Sequence, residues 1–208
     1  EVDAQADLAP FRVEFFSRYY GVDVRTGVTV ERLDAERHVV HTSAGELRYD
    51  SLIYALGAGS LRPPEFGDGA ANLSLLRDMA DLERIATISA QGATRAVIVG
   101  GGFYGVEAAD CLARRGLAVT LLERGAQLLP EFSPTAAKRA ARALVAEGVD
   151  VRTSATITGV TREGERITAI QCGDISLPAD LILITAGVRP RSEIFAAAGG
   201  RVERDGSI

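Results

Sequence analysis

Ala96-Val97-Ile98-Val99-Gly100-Gly101-Gly102-Phe103-Tyr104-Gly105 joins a short apolar run to a GxGxxG spacing, and Ala118-Val119-Thr120-Leu121-Leu122-Glu123 follows one helix length later. In a chain with 22 glycines that spacing alone says little. Here it follows an apolar strand, opens a helix and is answered by an acid 23 positions beyond Gly100, at the end of the next strand. Apolar periodicity then predicts a helix over 103–115, a strand over 118–122, a helix over 134–147 and a strand over 149–152. With the strand at 96–99 this is a βαβαβ unit, which requires a parallel sheet. Residues 155–161 and 166–171 alternate around Arg162-Glu163-Gly164-Glu165 and predict a hairpin, and 179–186 predict one more buried strand closing on Gly187. The fold class is α/β: a Rossmann-like parallel sheet with a β-hairpin, preceded by short antiparallel strands.

Upstream, Phe11, Phe15, Phe16, Tyr19 and Tyr20 suit one face of a helix that packs on a core. Short alternating segments at 22–25, 28–33 and 38–42 predict an antiparallel meander, with His38 and His41 on opposite faces and no shared role. Residues 51–56 read as a buried strand running into Gly57-Ala58-Gly59, Pro63-Pro64 and Gly67-Asp68-Gly69 as a surface linker, and Leu76, Met79, Leu82, Ile85 and Ala86 as one face of a helix within 75–90. The domain boundary is placed near residue 91, giving domains 1–91 and 92–208. A weak internal echo links 49–57 to 179–187: each is an acidic residue, an apolar strand and a glycine.

Composition narrows the function classes. The 208 residues are 47% hydrophobic and 25% charged, with a net charge of −5, so phosphates are not drawn by a general basic surface and nucleic acid is not expected as a partner. Cys111 and Cys172 form no CxxC, which argues against a disulfide framework or a zinc site and for a reducing cytoplasm; Cys111 reads as a small buried packing residue. No apolar run is long enough to span a bilayer, and the acidic stretch at the start of this sequence lacks the basic and apolar regions of a signal peptide. The chain starts at Glu1 rather than Met, which points to a processed or excised piece.

The glycine spacing has a chemical reading. Gly100 permits the tight turn, Gly102 lets the backbone approach a pyrophosphate, and Gly105 lets the helix pack on its strand, while free N–H groups at the helix start offer donors and partial positive charge to the anion. Gly101, Phe103 and Tyr104 complete the loop. Glu123 is expected to hydrogen-bond the adenosine ribose, and its charge to repel the 2′-phosphate of NADP, so NAD(H) is favoured. Arg124 either turns toward a 2′-phosphate or is a solvated arginine.

With these residues in place, the chain resembles the pyridine nucleotide-disulfide oxidoreductase family, which includes NADH oxidases, coenzyme A-disulfide reductases and ferredoxin reductases. The resemblance rests on 97–109, on Val119-Thr120-Leu121-Leu122-Glu123 with Leu128-Leu129-Pro130, and on the two echoing strands. It implies that 92–208 is an NAD(P)-binding domain, that 1–91 is a partial FAD-binding segment, and that the full protein passes a hydride from NADH to FAD. Ala55 and Gly57 then lie beside the flavin, with Leu56 where the family has threonine, and Ala186, Gly187 and Val188 beside the nicotinamide. Phe103 either covers the flavin or packs between domains; Glu107 either contacts the nicotinamide end and pairs with a lysine of the FAD domain or stabilises the helix dipole. The family's other FAD and interface regions are expected outside this chain, so no catalytic residue and no metal ligand is assigned within it. A type II NADH:quinone dehydrogenase and a non-catalytic NAD-sensing module are the alternatives. The electron acceptor, oligomeric state and retention of FAD by the chain stay open.

Overall fold

A computed structural model of the chain describes residues 12–208. Phe11 lies outside the described residues. Two compact units are formed, one from 12–58 with 190–208 and the other from 59–189. Residue 91, near which the sequence places a boundary, lies inside the second unit.

In chain order the first unit holds α1 (Val13–Tyr20), β1 (Val30–Asp34), β2 (Val39–Thr42) and β3 (Gly45–Arg48). The strands form an antiparallel meander ordered β1-β2-β3. Its third strand is 45–48 and not the expected 22–25, which carries no strand. Residues 51–56 are corrected as well: they form no strand, and Ile53 is 90% exposed. A strand needs a ladder partner, and none lies beside this stretch among the described residues. The helix over 13–20 forms, but it buries no residue, and Tyr19 and Tyr20 are 65% and 68% exposed, against the expected core packing.

Chain order continues with β4 (Ala58–Ser60), a 3-10 turn at Pro64–Phe66, β5 (Leu73–Leu75), α2 (Met79–Ala90), β6 (Arg95–Val99), α3 (Phe103–Arg114), β7 (Ala118–Leu122), α4 (Pro134–Ala146), β8 (Asp150–Arg152), β9 (Gly159–Glu163), β10 (Arg166–Cys172), β11 (Ile175–Pro178), β12 (Leu181–Ile184), β13 (Val188–Pro190) and α5 (Glu193–Ala197); β5 to β12 lie in the second unit and α5 in the first. A parallel five-stranded sheet runs β5-β12-β6-β7-β8, and β9, β10 and β11 form a separate antiparallel sheet. β11 extends the predicted hairpin to three strands.

Side-chain parity explains why the central strands are unbroken apolar runs. Ala96, Ile98, Val119, Leu121, Leu181 and Leu183 pack with Ile85, Ile88, Leu112 and Leu144 of α2, α3 and α4. Their neighbours Val97, Val99, Leu122, Ile182 and Ile184 pack with Ile167, Ile170 and Leu177 of the antiparallel sheet. A strand buried on both faces leaves no room for polar alternation. The helical reading of 75–90 is shortened, since Leu75 ends β5 and α2 starts at Met79, where the Asp78 carboxylate accepts from the Asp81 N–H at 3.0 Å; α4 starts at Pro134 as expected, with Ser133 before it. Two readings change. Phe66, in the presumed surface linker, is fully buried in the second core, and α2 buries Ile85 and Ile88 while Leu82 is exposed.

Asp180, just before β12, ties that strand to the start of β6. Its carboxylate accepts from the Thr94 N–H at 3.1 Å and hydroxyl at 3.0 Å, the Arg95 N–H at 3.0 Å, and the Arg95 guanidinium at 2.7 and 3.1 Å. The Arg95 guanidinium holds the carboxyl far below the usual carboxylate range; partial burial opposes it, and the Thr94 N–H and hydroxyl and the Arg95 N–H add to it. A depressed folded pKa gives stability that is complete above the unfolded value, about 3.9, and is lost as pH falls toward the folded one. Asp180→Asn is therefore expected to lower the urea midpoint by a constant amount from about pH 8 to pH 5, the gap closing below about pH 4. Midpoints at pH 7, 5, 4 and 3 check this; a gap that widens in acid is the contrary result.

Candidate functional site

The candidate site lies at the C-terminal ends of the parallel strands, within the second unit. Gly100 follows β6 with φ +110°, and a Cβ on it would sit 2.4 Å from the Thr185 carbonyl oxygen. A Cβ on Gly101 would meet the Leu128 side chain at 2.5 Å, and one on Gly105 would lie 1.9 Å from the Gly100 carbonyl oxygen. Gly102 differs: a Cβ there would meet nothing within 4 Å. Three glycines of the loop are thus demanded by the protein's own packing, while the fourth faces open space at the start of α3. That helix begins with no side-chain cap and no acid in its first turn, so its partial positive charge is left for an anion.

Glu123, at the end of β7, reaches back to this loop. One carboxylate oxygen accepts from the Gly101 N–H at 2.7 Å and the other from the Gly125 N–H at 2.5 Å. The Leu129 N–H donates to the Gly101 carbonyl at 2.8 Å, so the segment after β7 and the glycine loop brace each other. Beside them opens a cleft of about 480 Å³, lined by Gly100, Glu123, Arg124 and Ala186 and walled by Pro63, Pro64 and Ala155–Ile157.

The structure therefore brings four of the residues singled out in the sequence to one cleft. Phe103 and Tyr104 stand on the first turn of α3, 59% and 63% exposed, with rings edge-on at 6.2 Å. Glu107 is exposed and lies beyond the first turn, which weakens its reading as a helix-dipole acid. Gly187 has φ +106° and Val188 is 51% exposed. Ala55 and Gly57 belong to the first unit and are exposed. Sequence reasoning missed both cleft walls. Pro63-Pro64 carried a turn signal that concealed a wall, and Ala155 and Ile157 alternate with exposed Thr156 like any edge segment.

Cys111 is exposed on α3 and not buried as expected; Cys172 is half-buried, and burial raises its thiol pKa. His41 meets Arg32 and Glu46, and His38 stacks on Tyr49 at 5.2 Å. Among the described residues no group of three or more His, Cys, Asp or Glu could hold a metal, and no helix is long and apolar enough to cross a membrane.

Comparison with known proteins follows the same outline. The family model described as pyridine nucleotide-disulphide oxidoreductase matches residues 3–208. Monodehydroascorbate reductase 4, peroxisomal, of Arabidopsis thaliana is 33% identical over 184 residues, covering 85% of this chain and 38% of that protein. The structure of a NAD-dependent persulfide reductase from A. fulgidus superposes with a TM-score of 0.91 at 27% identity, covering all of this chain and 39% of that one. A FAD-dependent pyridine nucleotide-disulphide oxidoreductase from Desulfovibrio vulgaris superposes with a TM-score of 0.75 at 29% identity, covering 87% of this chain and 48% of that one. The chain thus spans less than half the length of each of these three relatives.

Proposed function

The chain belongs to the pyridine nucleotide-disulphide oxidoreductase family, and from that premise we propose that residues 59–189 bind NAD(H) and present it to a flavin, FAD, in the whole protein. The observation that carries this reading is the division of labour among the glycines. Gly100, Gly101 and Gly105 have no space for a Cβ, whereas Gly102 is open at an uncapped helix start. A backbone surface kept bare at the positive end of a helix fits a pyrophosphate. Glu123 supplies carboxylate lone pairs to the adenosine ribose while its other contacts keep the loop in shape. Ala186, Gly187 and Val188 lead from the cleft toward the nicotinamide. When bound, the dinucleotide supplies the hydride; the protein binds, orients and excludes the wrong cofactor. Relatives named as a NAD-dependent reductase and as a FAD-dependent enzyme support this assignment.

Fluorescence titration with NADH and with NADPH tests it. Saturable binding that prefers NADH is expected. Glu123→Arg should weaken NADH about tenfold, a loss of about 1.4 kcal/mol, and erase the preference over NADPH by removing the charge that repels a 2′-phosphate. Glu123→Gln separates charge from shape, since its amide oxygen still accepts one N–H. Failure to bind either nucleotide defeats the proposal.

A further inference from the structure

We propose that Thr185 is a positioning residue for the dinucleotide, its hydroxyl fixing the peptide plane between Gly100 and Gly101 from the same strand end that leads into Ala186-Gly187-Val188. The inference rests on the NAD(H) reading above and deepens it. Thr185 directly follows β12, where four buried aliphatic residues give way to a hydroxyl. Its oxygen lies 2.9 Å from the Gly100 carbonyl oxygen and 3.1 Å from that of Val99. A hydroxyl carries one hydrogen, so the two acceptors compete for it. Val99 is already served, because its carbonyl accepts the Thr185 N–H at 2.8 Å. Among the described residues no backbone N–H reaches the Gly100 carbonyl outside the contact with Thr185. The hydroxyl therefore belongs to Gly100.

The other side of the same peptide is held too. Its N–H, from Gly101, donates to Glu123 at 2.7 Å. Thr185 and Glu123 thus pin one peptide plane at both poles, its oxygen and its hydrogen. The plane opens the turn from β6 into α3, so its tilt sets where the next N–H groups aim. Space is tight on the same side: the Thr185 hydroxyl lies 2.8 Å from a Cβ placed on Gly105. Position 185 couples the phosphate loop to the start of the segment assigned to the nicotinamide, one residue away in sequence.

The test uses the full-length protein with Thr185→Val, which keeps the shape and removes the hydroxyl, and Thr185→Ser, which restores it. Thr185→Ala is a second hydroxyl-free variant that relieves any crowding. The probes are NADH, ADP-ribose, which keeps both phosphates without nicotinamide, and AMP. Both hydroxyl-free variants should bind NADH and ADP-ribose about fivefold to tenfold more weakly, with AMP affected less than about twofold. In NADH oxidation with ferricyanide the loss should appear in KM, with kcat changed less than about twofold, and Thr185→Ser should behave as the parent. Equal loss for AMP and NADH, unchanged binding in Thr185→Val, or failure of Thr185→Ser overturns the role. If the parent binds no NADH, the NAD(H) reading falls and this inference with it; if the parent binds and the variants bind equally well, this inference alone falls.

Discussion

Gly105→Ala is expected to abolish saturable NADH binding and to cost about 2 kcal/mol of stability, whereas Gly102→Ala should lose most binding with stability within about 0.5 kcal/mol of the parent. The two glycines differ in what surrounds them. A methyl group on Gly105 would fall 1.9 Å from the Gly100 carbonyl oxygen, a backbone atom that cannot swing aside as a side-chain tip can. The first turn of α3 must then lift away from β6, or the glycine turn must rotate and break its contacts with Thr185 and Glu123. Overpacking of this kind costs about 1–3 kcal/mol, and the melting temperature of a chain this size should fall by about 5 °C. Gly102 has φ −73° and ψ −171°, a conformation open to alanine, with nothing within 4 Å of the added carbon. Alanine there is a poorer N-cap by some tenths of a kcal/mol, offset by the smaller entropy of the unfolded chain. What it blocks is the approach of a ligand. Calorimetric melting beside NADH titration separates the cases, and a Gly102→Ala protein that binds as the parent does would remove Gly102 from the site.

That contrast also marks what sequence could supply. The spacing of Gly100, Gly102 and Gly105 between an apolar strand and a helix needs no tertiary knowledge, because turn, close approach and helix packing each demand a missing Cβ at a fixed offset. β7 is legible to the residue and β6, α3, α4 and β8 to within one, since glycine, proline and charge bound these buried strands and the helices between them sharply. Residues 51–56 show the limit. Their apolar run is that of a strand, but a strand is defined by its neighbour, and no neighbour is present among the described residues. Ile53, 90% exposed, is apolar for a reason the run itself does not disclose. The cleft walls were illegible for another cause. Pro63 and Ala155 stand far apart in sequence and meet only after the antiparallel sheet has folded over one face of the parallel one. Cys111 fails for a different cause: Ala109 and Leu112 beside it on α3 are buried, while Cys111 itself is turned to solvent.

The buried residue that joins those two sheets is polar, and its loss should be among the most damaging single changes in the chain. Asn72 has no exposed surface. Its amide nitrogen donates to the Ile167 carbonyl at 2.8 Å and the Asp180 carbonyl at 3.2 Å, and its amide oxygen accepts from the Ile167 N–H at 2.9 Å. Its own carbonyl accepts from the Ile182 N–H at 2.9 Å. The pairing of β10 with β9 shifts register between Ile167 and Ala169, and Asn72 takes up the Ile167 groups beside that irregularity. One side chain thus joins the antiparallel sheet to the approach of β12. Asn72→Ala strands an N–H and a carbonyl of Ile167 in the interior, and about 3 kcal/mol of stability should go with them. Asn72→Asp makes the chemistry visible. A carboxyl buried there keeps an acceptor for the Ile167 N–H but must protonate to donate, so its folded pKa rises above the unfolded value of about 3.9. Stability from such a group is complete below the unfolded pKa and is lost as pH rises, so Asn72→Asp should be more stable at pH 5 than at pH 7 relative to the parent. Urea unfolding of the three proteins at both pH values reads both effects. Asn72→Ala within about 1 kcal/mol of the parent would show that water or a shift of β10 satisfies Ile167 without the amide.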